Sequence, residues 1–357
     1  MAKFWKITLL ASIFAAALIF FVYVHTPSSL APPAPANAIG TTTAALPPQA
    51  LLNDNYYVPQ TFNNCAPAAL SMDLSFYGVQ VSQETLADAL RPDHNTTGHD
   101  DEKSTPPQDV AAQAEQYGGL IAYYRPAGNL EELKQLVAAG FPVIVRTLFM
   151  PTDQVAHYRV IIGYNDATGQ IIDEDGYQGP HVTYSYNDFL QLWKYYNYEY
   201  VVLAPPAKQA QVEAILGSAV DPAAAWRQAA ANAEQDLVQN PADFLATFNL
   251  SVANYYLGNY GKSVAEFESV QPLMPQDTLW YQIEPIEAYY QVGDYSKVFS
   301  LSQAIFDDGN PAVPELYVVR GQSYLKEGNT AAAKIQFETA LQYNMNLESA
   351  KEALANL

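Results

Sequence analysis

The stretch Val58-Pro-Gln-Thr-Phe-Asn-Asn-Cys65-Ala-Pro-Ala-Ala-Leu-Ser-Met72 decides how the chain is read, because it carries the only cysteine in 357 residues at the point where an extended segment turns into an apolar helix. Asn63 and Asn64 are residue types that cap helix N-termini, and Pro67 is tolerated in a first helical turn. Ala68, Leu70, Ser71, Leu74 and Tyr77 keep a helical spacing that stops at Gly78. The spacing therefore predicts a helix with Cys65 in its first turn. Free backbone N–H groups and the macrodipole favour an anion there, so a thiolate is stabilised and the placement suits a nucleophile. The competing reading is a small buried hydrophobe, the ordinary state of a free cysteine.

Outward from this stretch, the composition sets limits. The formal net charge is −20, from 37 acidic and 17 basic residues, and such a field repels nucleic acid and anionic headgroups. A nucleic-acid partner is not expected. One cysteine excludes an internal disulfide and a cysteine-based zinc site. Upstream, residues 7–24 are an uninterrupted apolar run preceded by Lys3 and Lys6, with no further basic residue until Arg91. A run approaching ~20 apolar residues reads as a membrane-spanning signal anchor, residues 1–25 in all, and the flanking lysines place the N-terminus in the cytoplasm and the folded part outside. Secretion after signal cleavage is the alternative. Residues 26–50, rich in Pro, Ala, Ser and Thr and free of charge, read as an extended linker.

Residues 51–206 read as an α+β domain. The expected helices start at Cys65, after the cap Ser82, between a polar loop Arg91–Pro107 and Gly118-Gly119, and after the cap Asn129. Four strands are expected over Phe141–Phe149, Ala156–Tyr164, Gln170–Glu174 and Val182–Tyr186, then a helix Asn187–Tyr196 and a last strand Tyr198–Leu203. Asn165–Gly169 is the turn of a hairpin. From 208 to 357 strand signals give way to self-similarity: Gly258, Gly293 and Gly328 recur every 35 residues, each opening a helical pattern, and Pro275 and Pro311 close two units. The pattern resembles tetratricopeptide repeats, with units at about 243–276, 277–311 and 312–345 followed by a terminal helix. The resemblance implies a protein-interaction module, whose partner it does not identify.

The chemistry narrows to few side chains. Thiol-dependent hydrolysis needs an imidazole near the sulfur, a group that orients the imidazole, and a donor for the oxyanion. His157 opens the strand His157-Tyr-Arg-Val-Ile-Ile-Gly163, and the next strand of the hairpin puts Asp173 and Asp175 on one face within reach of it. Gln60 can offer an amide N–H. His94 and His99 lie in a polar loop, 93–101, that reads as a solvated loop rather than a metal site, and no metal or other cofactor is expected. Gly261-Lys262-Ser263 lacks the first glycine of a phosphate loop, since position 256 is Tyr256.

The order Gln60…Cys65-Ala-Pro-Ala-Ala-Leu70, then His157-Tyr-Arg-Val-Ile-Ile-Gly-Tyr-Asn-Asp166, then Ile171-Ile-Asp-Glu-Asp175 before Gly179-Pro180, resembles the bacteriocin-processing, double-glycine-peptidase-like group of papain-fold enzymes over about residues 56–204. The resemblance implies a papain-like α+β fold, with Cys65 as nucleophile, His157 as general base and acid, Asp175 as orienter and Gln60 in the oxyanion hole. The sequence differs from the family in Ala66 after the cysteine, in Gly176 after the aspartate, and in a Gln60-to-Cys65 gap of five, so Asp173 stays open as the orienter. The expectation is a membrane-anchored, extracytoplasmic cysteine peptidase acting on a peptide or protein. Its alternatives are a catalytically silent scaffold and an acyl or amide transferase built on the same triad.

Overall fold

The computed structural model describes residues 46–53, 56–92, 102 and 104–357. The apolar run 7–24, most of the linker 26–50 and the histidine-bearing loop 93–101 lie outside the described residues. Among the described residues no helix is long and apolar enough to cross a membrane.

The first part of the chain runs β1 (Gln49–Leu51), α1 (Cys65–Ser75), α2 (Gln83–Leu90), α3 (Pro107–Ala114), β2 (Ile121–Arg125), α4 (Leu130–Ala138), β3 (Val143–Leu148), β4 (Ala156–Asn165), β5 (Gln170–Asp175), β6 (Gly179–Ser185), α5 (Tyr186–Lys194) and β7 (Tyr200–Ala204). All the strands join one antiparallel sheet in the order β2-β7-β3-β4-β5-β6, with β1 also paired to β4. The central strands read as apolar runs because both faces of the sheet are covered. Period two sorts their side chains. Ile144, Val160, Ile162, Val201 and Leu203 pack with Leu70, Leu74, Leu86 and Val110 of α1, α2 and α3. Their neighbours Val143, Val145, Ile161 and Val202 pack with Leu133, Leu136, Phe189 and Trp193 of α4 and α5 on the other face.

Local signals set several of the boundaries. The Ser82 side chain accepts from the Thr85 N–H, and Asn129 accepts from the Glu132 N–H. Asn165–Gly169 turns the β4–β5 hairpin, with Gly169 at φ +66°. Other features differ from expectation. The sheet begins at Gln49, inside the residues read as the end of the linker, and the Tyr164 hydroxyl donates to the Pro47 carbonyl. A three-residue strand is too short to leave a periodic pattern. β2 was not foreseen either, since Ile-Ala-Tyr-Tyr-Arg lies between glycine turns and shows no alternation. Helix α5 begins at Tyr186 and ends at Lys194, capped by Ser185, whose hydroxyl accepts from the Asp188 N–H. Arg91, read as the start of a polar loop, is 1% exposed, and its Nε donates to the Glu102 carbonyl.

The second part is helical: α6 (Gln209–Leu216), α7 (Pro222–Gln239), α8 (Phe244–Tyr256), α9 (Tyr260–Val270), α10 (Glu284–Val292), α11 (Tyr295–Asp307), α12 (Pro314–Lys326), α13 (Thr330–Tyr343) and α14 (Glu348–Ala355). Three helical hairpins, α8/α9, α10/α11 and α12/α13, turn at Gly258, Gly293 and Gly328, whose φ angles of +74°, +83° and +77° explain the 35-residue recurrence of glycine. Residues 46–357 form one compact unit. Tyr124 and Ala127 join the helical core with Trp226 and Phe248, and the Asn344 amide donates to the Leu90 carbonyl.

Inside α12, Gly321 faces the buried ring of Phe337 in α13, and a Cβ there would lie 2.4–2.8 Å from three ring atoms. Gly321→Ala improves helix propensity by up to about 1 kcal/mol, while overpacking a core typically costs about 1–3 kcal/mol. The clash wins because Phe337 has no exposed direction in which to move. A net loss of about 1–2 kcal/mol is expected, read as a lower denaturation midpoint at unchanged slope.

Candidate active site

Cys65 is the first residue of α1 and is half-buried. Asn64 occupies the N-cap position, but its side chain makes no cap bond. Its amide is held from outside the helix: the oxygen accepts from Arg91 Nη1, and the nitrogen donates to Thr61 Oγ1 at 2.7 Å. Arg91 Nη1 also donates to the Asn63 carbonyl at 2.8 Å, which fixes Asn63 at φ +54° beside the cysteine. The first turn of α1 is thus shaped by a buried guanidinium, and its backbone donors are not covered by a capping side chain.

His157 lies near the start of β4, opposite Thr147 of β3, and is 3% exposed. Its Nε2 is 2.9 Å from Asp175 Oδ1 and its ring meets Phe149 edge-on at 5.1 Å. The Cys65 thiol and the imidazole shift each other's titration across the cleft wall, and with Nε2 on Asp175 the ring nitrogen left for the sulfur is Nδ1. Asp175 ends β5, where the pairing with β6 shifts register. Besides the imidazole, its Oδ1 accepts the N–H groups of Tyr177 and Gln178 at 2.8 and 2.9 Å, and its Oδ2 accepts Arg159 Nε–H at 3.1 Å. Of the two aspartates the sequence left open, Asp175 touches the histidine. Asp173 lies 3.6 Å from Arg159 Nε, and neither of its carboxyl oxygens has a hydrogen-bond partner.

The electrostatics follow from these contacts. Burial pushes the Cys65 thiol up, but the hydrogen bond and charge of His157, the Tyr158 N–H and Arg91 outweigh it, and the net shift is downward. Burial pushes His157 down, and its bonds to Asp175 and Cys65 reverse this, so it is raised. Burial would raise Asp175, yet His157, Arg159 and the Gln178 N–H bring it down to about 2. Asp173 goes the other way: burial raises it to about 7 despite Arg159, whose nearer partner is Asp175. A lowered thiol bonded to a raised imidazole is the pattern of a thiolate–imidazolium pair.

Gln60 is positioned by a close approach. Its N–H donates to the Gly176 carbonyl at 2.8 Å, and a Cβ at 176 would lie 3.1 Å from Gln60 Cβ and 3.3 Å from the Val58 carbonyl oxygen. Gly176 therefore lets the Val58–Gln60 strip lie against the turn that carries Asp175. The Gln60 side-chain oxygen is buried without a partner beside the cleft.

Gln60, Cys65 and His157 line a cleft of about 390 Å³. Exposed Phe62, Val155 and Tyr177 ring it, and one wall is Tyr281, from the helical part of the chain. Two contributors escaped the sequence reading. Arg159 did leave a signal: it is a charged residue inside an apolar strand, two positions from His157 and hence on the same face. Tyr281 left none, because nothing in a helical repeat says which sheet it packs on. His181 is away from the cleft, with its ring half-exposed near Glu174. Among the described residues no group of His, Cys, Asp and Glu is arranged to hold a metal ion.

Residues 48–201 match the model of the Peptidase_C39 like family, so the α+β part of the chain is similar to that family, and a helical region follows it. Among solved structures, the chain is similar to a protein of Bacillus anthracis described as C39-like peptidase, at 18% identity and a TM-score of 0.38, over 44% of this chain and 98% of that one. It is similar to the peptidase domain of ComA, a bifunctional ABC transporter of Streptococcus, at 21% identity and a TM-score of 0.32, over 42% of this chain and 96% of that one. A tetratricopeptide repeat protein of Parabacteroides merdae matches at 20% identity and a TM-score of 0.32, over 47% of this chain and 61% of that one. No curated protein matches the chain.

Proposed function

We propose that this protein is a cysteine peptidase that hydrolyses peptide bonds through Cys65, His157 and Asp175. It would be anchored in the cell membrane by residues 7–24, hold its folded part outside the cytoplasm, and carry a tetratricopeptide-type module that binds a protein partner. The observation that carries the catalytic reading is the imidazole of His157, bonded to Asp175 at 2.9 Å and lining one open cleft together with a thiol at a helix N-terminus.

In this reading the Cys65 thiolate attacks the carbonyl carbon, and the C–S bond forms as the oxygen takes the negative charge. The Gln60 side chain and a backbone N–H at the start of α1 hold that oxyanion. As the C–N bond breaks, His157 gives its proton to the leaving amine. Water then attacks the thioester, His157 takes the water's proton, and the carboxylic acid leaves with the thiolate restored. Asp175 keeps its charge throughout. Its four hydrogen bonds hold the imidazole with Nδ1 towards the sulfur.

The test is the pH dependence of iodoacetamide alkylation, in which a single cysteine gives an unambiguous signal. In the native protein the rate is expected to titrate below the ~8.5 of a free thiol. In His157→Ala the largest opposing influences are gone and burial prevails, so the midpoint is expected to rise above that value. A native midpoint at or above ~8.5 would mean a structural cysteine.

A further inference from the structure

The helix that braces the reactive turn is itself held by the far end of the chain. Helix α2 grips the strip 59–64, most of which lines the cleft, at two points. From its first turn, the Gln83 side chain donates to the Pro59 carbonyl at 2.8 Å and accepts the Thr61 N–H at 3.0 Å. Just past its last turn, Arg91 donates to the Asn63 carbonyl and to the Asn64 side chain, next to Cys65. Arg91 fixes that turn only as firmly as it is fixed itself. Its Nε and Nη2 donate to the Glu102 carbonyl, and its backbone N–H donates to the Ala87 carbonyl at 2.7 Å.

The last carbonyls of a helix have no partner within it and find one outside. At the end of α2 those partners come from the loop between α13 and α14. At the surface, Asn346 Nδ2 donates to the Asp88 and Ala89 carbonyls at 2.9 and 3.0 Å. Asn344 reaches further in. It is 6% exposed, and its Nδ2 donates both to the Leu90 carbonyl at 3.0 Å and to Glu102 Oε2 at 3.4 Å. Its Oδ1 accepts the Asn346 N–H at 3.0 Å, which holds the amide in this orientation. One side chain from the end of the helical part thus spans the two residues that hold Arg91: Leu90, which precedes it, and Glu102, which takes its guanidinium. Capping alone, as at Asn346, would need no such bridge.

We infer that Asn344 is a positioning residue for Cys65, acting through Arg91. The inference rests on the peptidase reading, since the residue positioned is the proposed nucleophile. Arg91 serves that residue in two ways. Its positive charge favours the thiolate. Its bonds to Asn63 and Asn64 set the backbone from which α1 starts, and so the direction of the N–H groups there, one of which holds the oxyanion in the proposed mechanism. A displaced guanidinium weakens both. The other titratable side chains around the sulfur are His157 of β4 and, in the same cleft, Asp153 and Tyr281. Arg91 is the one that Asn344 braces, through Leu90 and Glu102.

The pH midpoint of iodoacetamide alkylation tests this on the full-length protein in detergent, compared among the native chain, Asn344→Ala and Asn346→Ala. Both variants take donors from the end of α2, and Asn344→Ala also releases Glu102. The Asn344→Ala midpoint is expected to rise by about half a pH unit, which slows alkylation about threefold at a pH well below it. Asn346→Ala is expected to stay within about 0.1 pH unit of the native protein. Asn344→Leu, which keeps volume without the donor, is expected to shift the midpoint as Asn344→Ala does, and it replaces that variant if the latter does not fold. A residue that only docks the two parts would lower the denaturation midpoint and leave the thiol where it is. An unchanged alkylation midpoint in the Asn344 variants, or an equal shift in Asn346→Ala, therefore overturns the inference. A native midpoint at or above ~8.5 sinks the peptidase reading instead. The difference between the Asn344 and Asn346 variants still decides the positioning in that case, because Arg91 acts on the thiol whether or not the thiol is catalytic.

Discussion

Cys65→Ala protein is expected to hydrolyse the peptides cut by the native protein at least about 10⁴-fold more slowly, and His157→Ala to match it. The two losses do not add. In the proposed mechanism sulfur and imidazole act as one unit, each shifting the other's titration, so the double variant should be no slower than either single one. Comparing kcat for the three proteins under saturating peptide makes the check. A His157→Ala protein that kept a tenth of native activity would place the base elsewhere, and an additive double variant would mean that the two residues do not cooperate.

The second large effect is expected at Arg159. Its guanidinium is fully buried, and its donors are all engaged: Nε with Asp175 Oδ2, Nη1 with Thr147 Oγ1 and the Leu148 carbonyl, and Nη2 with the Phe149 carbonyl and the Tyr184 hydroxyl. Arg159→Met keeps much of the volume but leaves Asp173 and Asp175 buried side by side with no arginine between them. Breaking a buried pair in this way costs about 3–5 kcal/mol, so a fall of that size in unfolding free energy is expected by chemical denaturation. Adding Asp173→Asn should return part of the loss. The sign follows from the native groups. Asp173 is raised to about 7, so it adds nothing below its unfolded value and costs stability increasingly as pH rises towards 7. Asp175, lowered to about 2, contributes stability above its unfolded value and loses it only as pH falls towards 2. The rescue by Asp173→Asn should therefore be larger at pH 7 than at pH 4, and a rescue independent of pH would show that Asp173 is not the strained group.

The sequence made legible whatever depends on short range. Ser82 and Asn129 bond the residue three positions on, the Asn165–Gly169 turn closes a hairpin, and the 35-residue glycine period marks left-handed helix ends. Cys65 and His157 could be placed from the sequence on the start of a helix and of a strand, whereas Gln60 lies outside any element and is positioned by the distant Gly176. What stayed hidden depends on pairing across the chain. β1 exists only because β4 is there to pair with it. The choice between Asp173 and Asp175 hinges on a register shift beside β6 and on Arg159, none of which alters the spacing of the two aspartates. Asn64 has the right composition for a cap, but a buried arginine from the loop after α2 takes its side chain.

Tyr281 gives the chain an order of events in time. Cys65, His157 and Asp175 are all synthesised by residue 175, whereas the wall that completes the cleft comes 106 residues later and is pinned to β3 through Arg146. Domains fold as units while synthesis proceeds, N-terminal parts first. A nascent chain that has passed Asp175 but not Tyr281 carries Cys65, His157 and Asp175 in a cleft that lacks one wall. The helical part thus acts as a clock on the α+β part: the finished cleft appears only after residue 281 has been made.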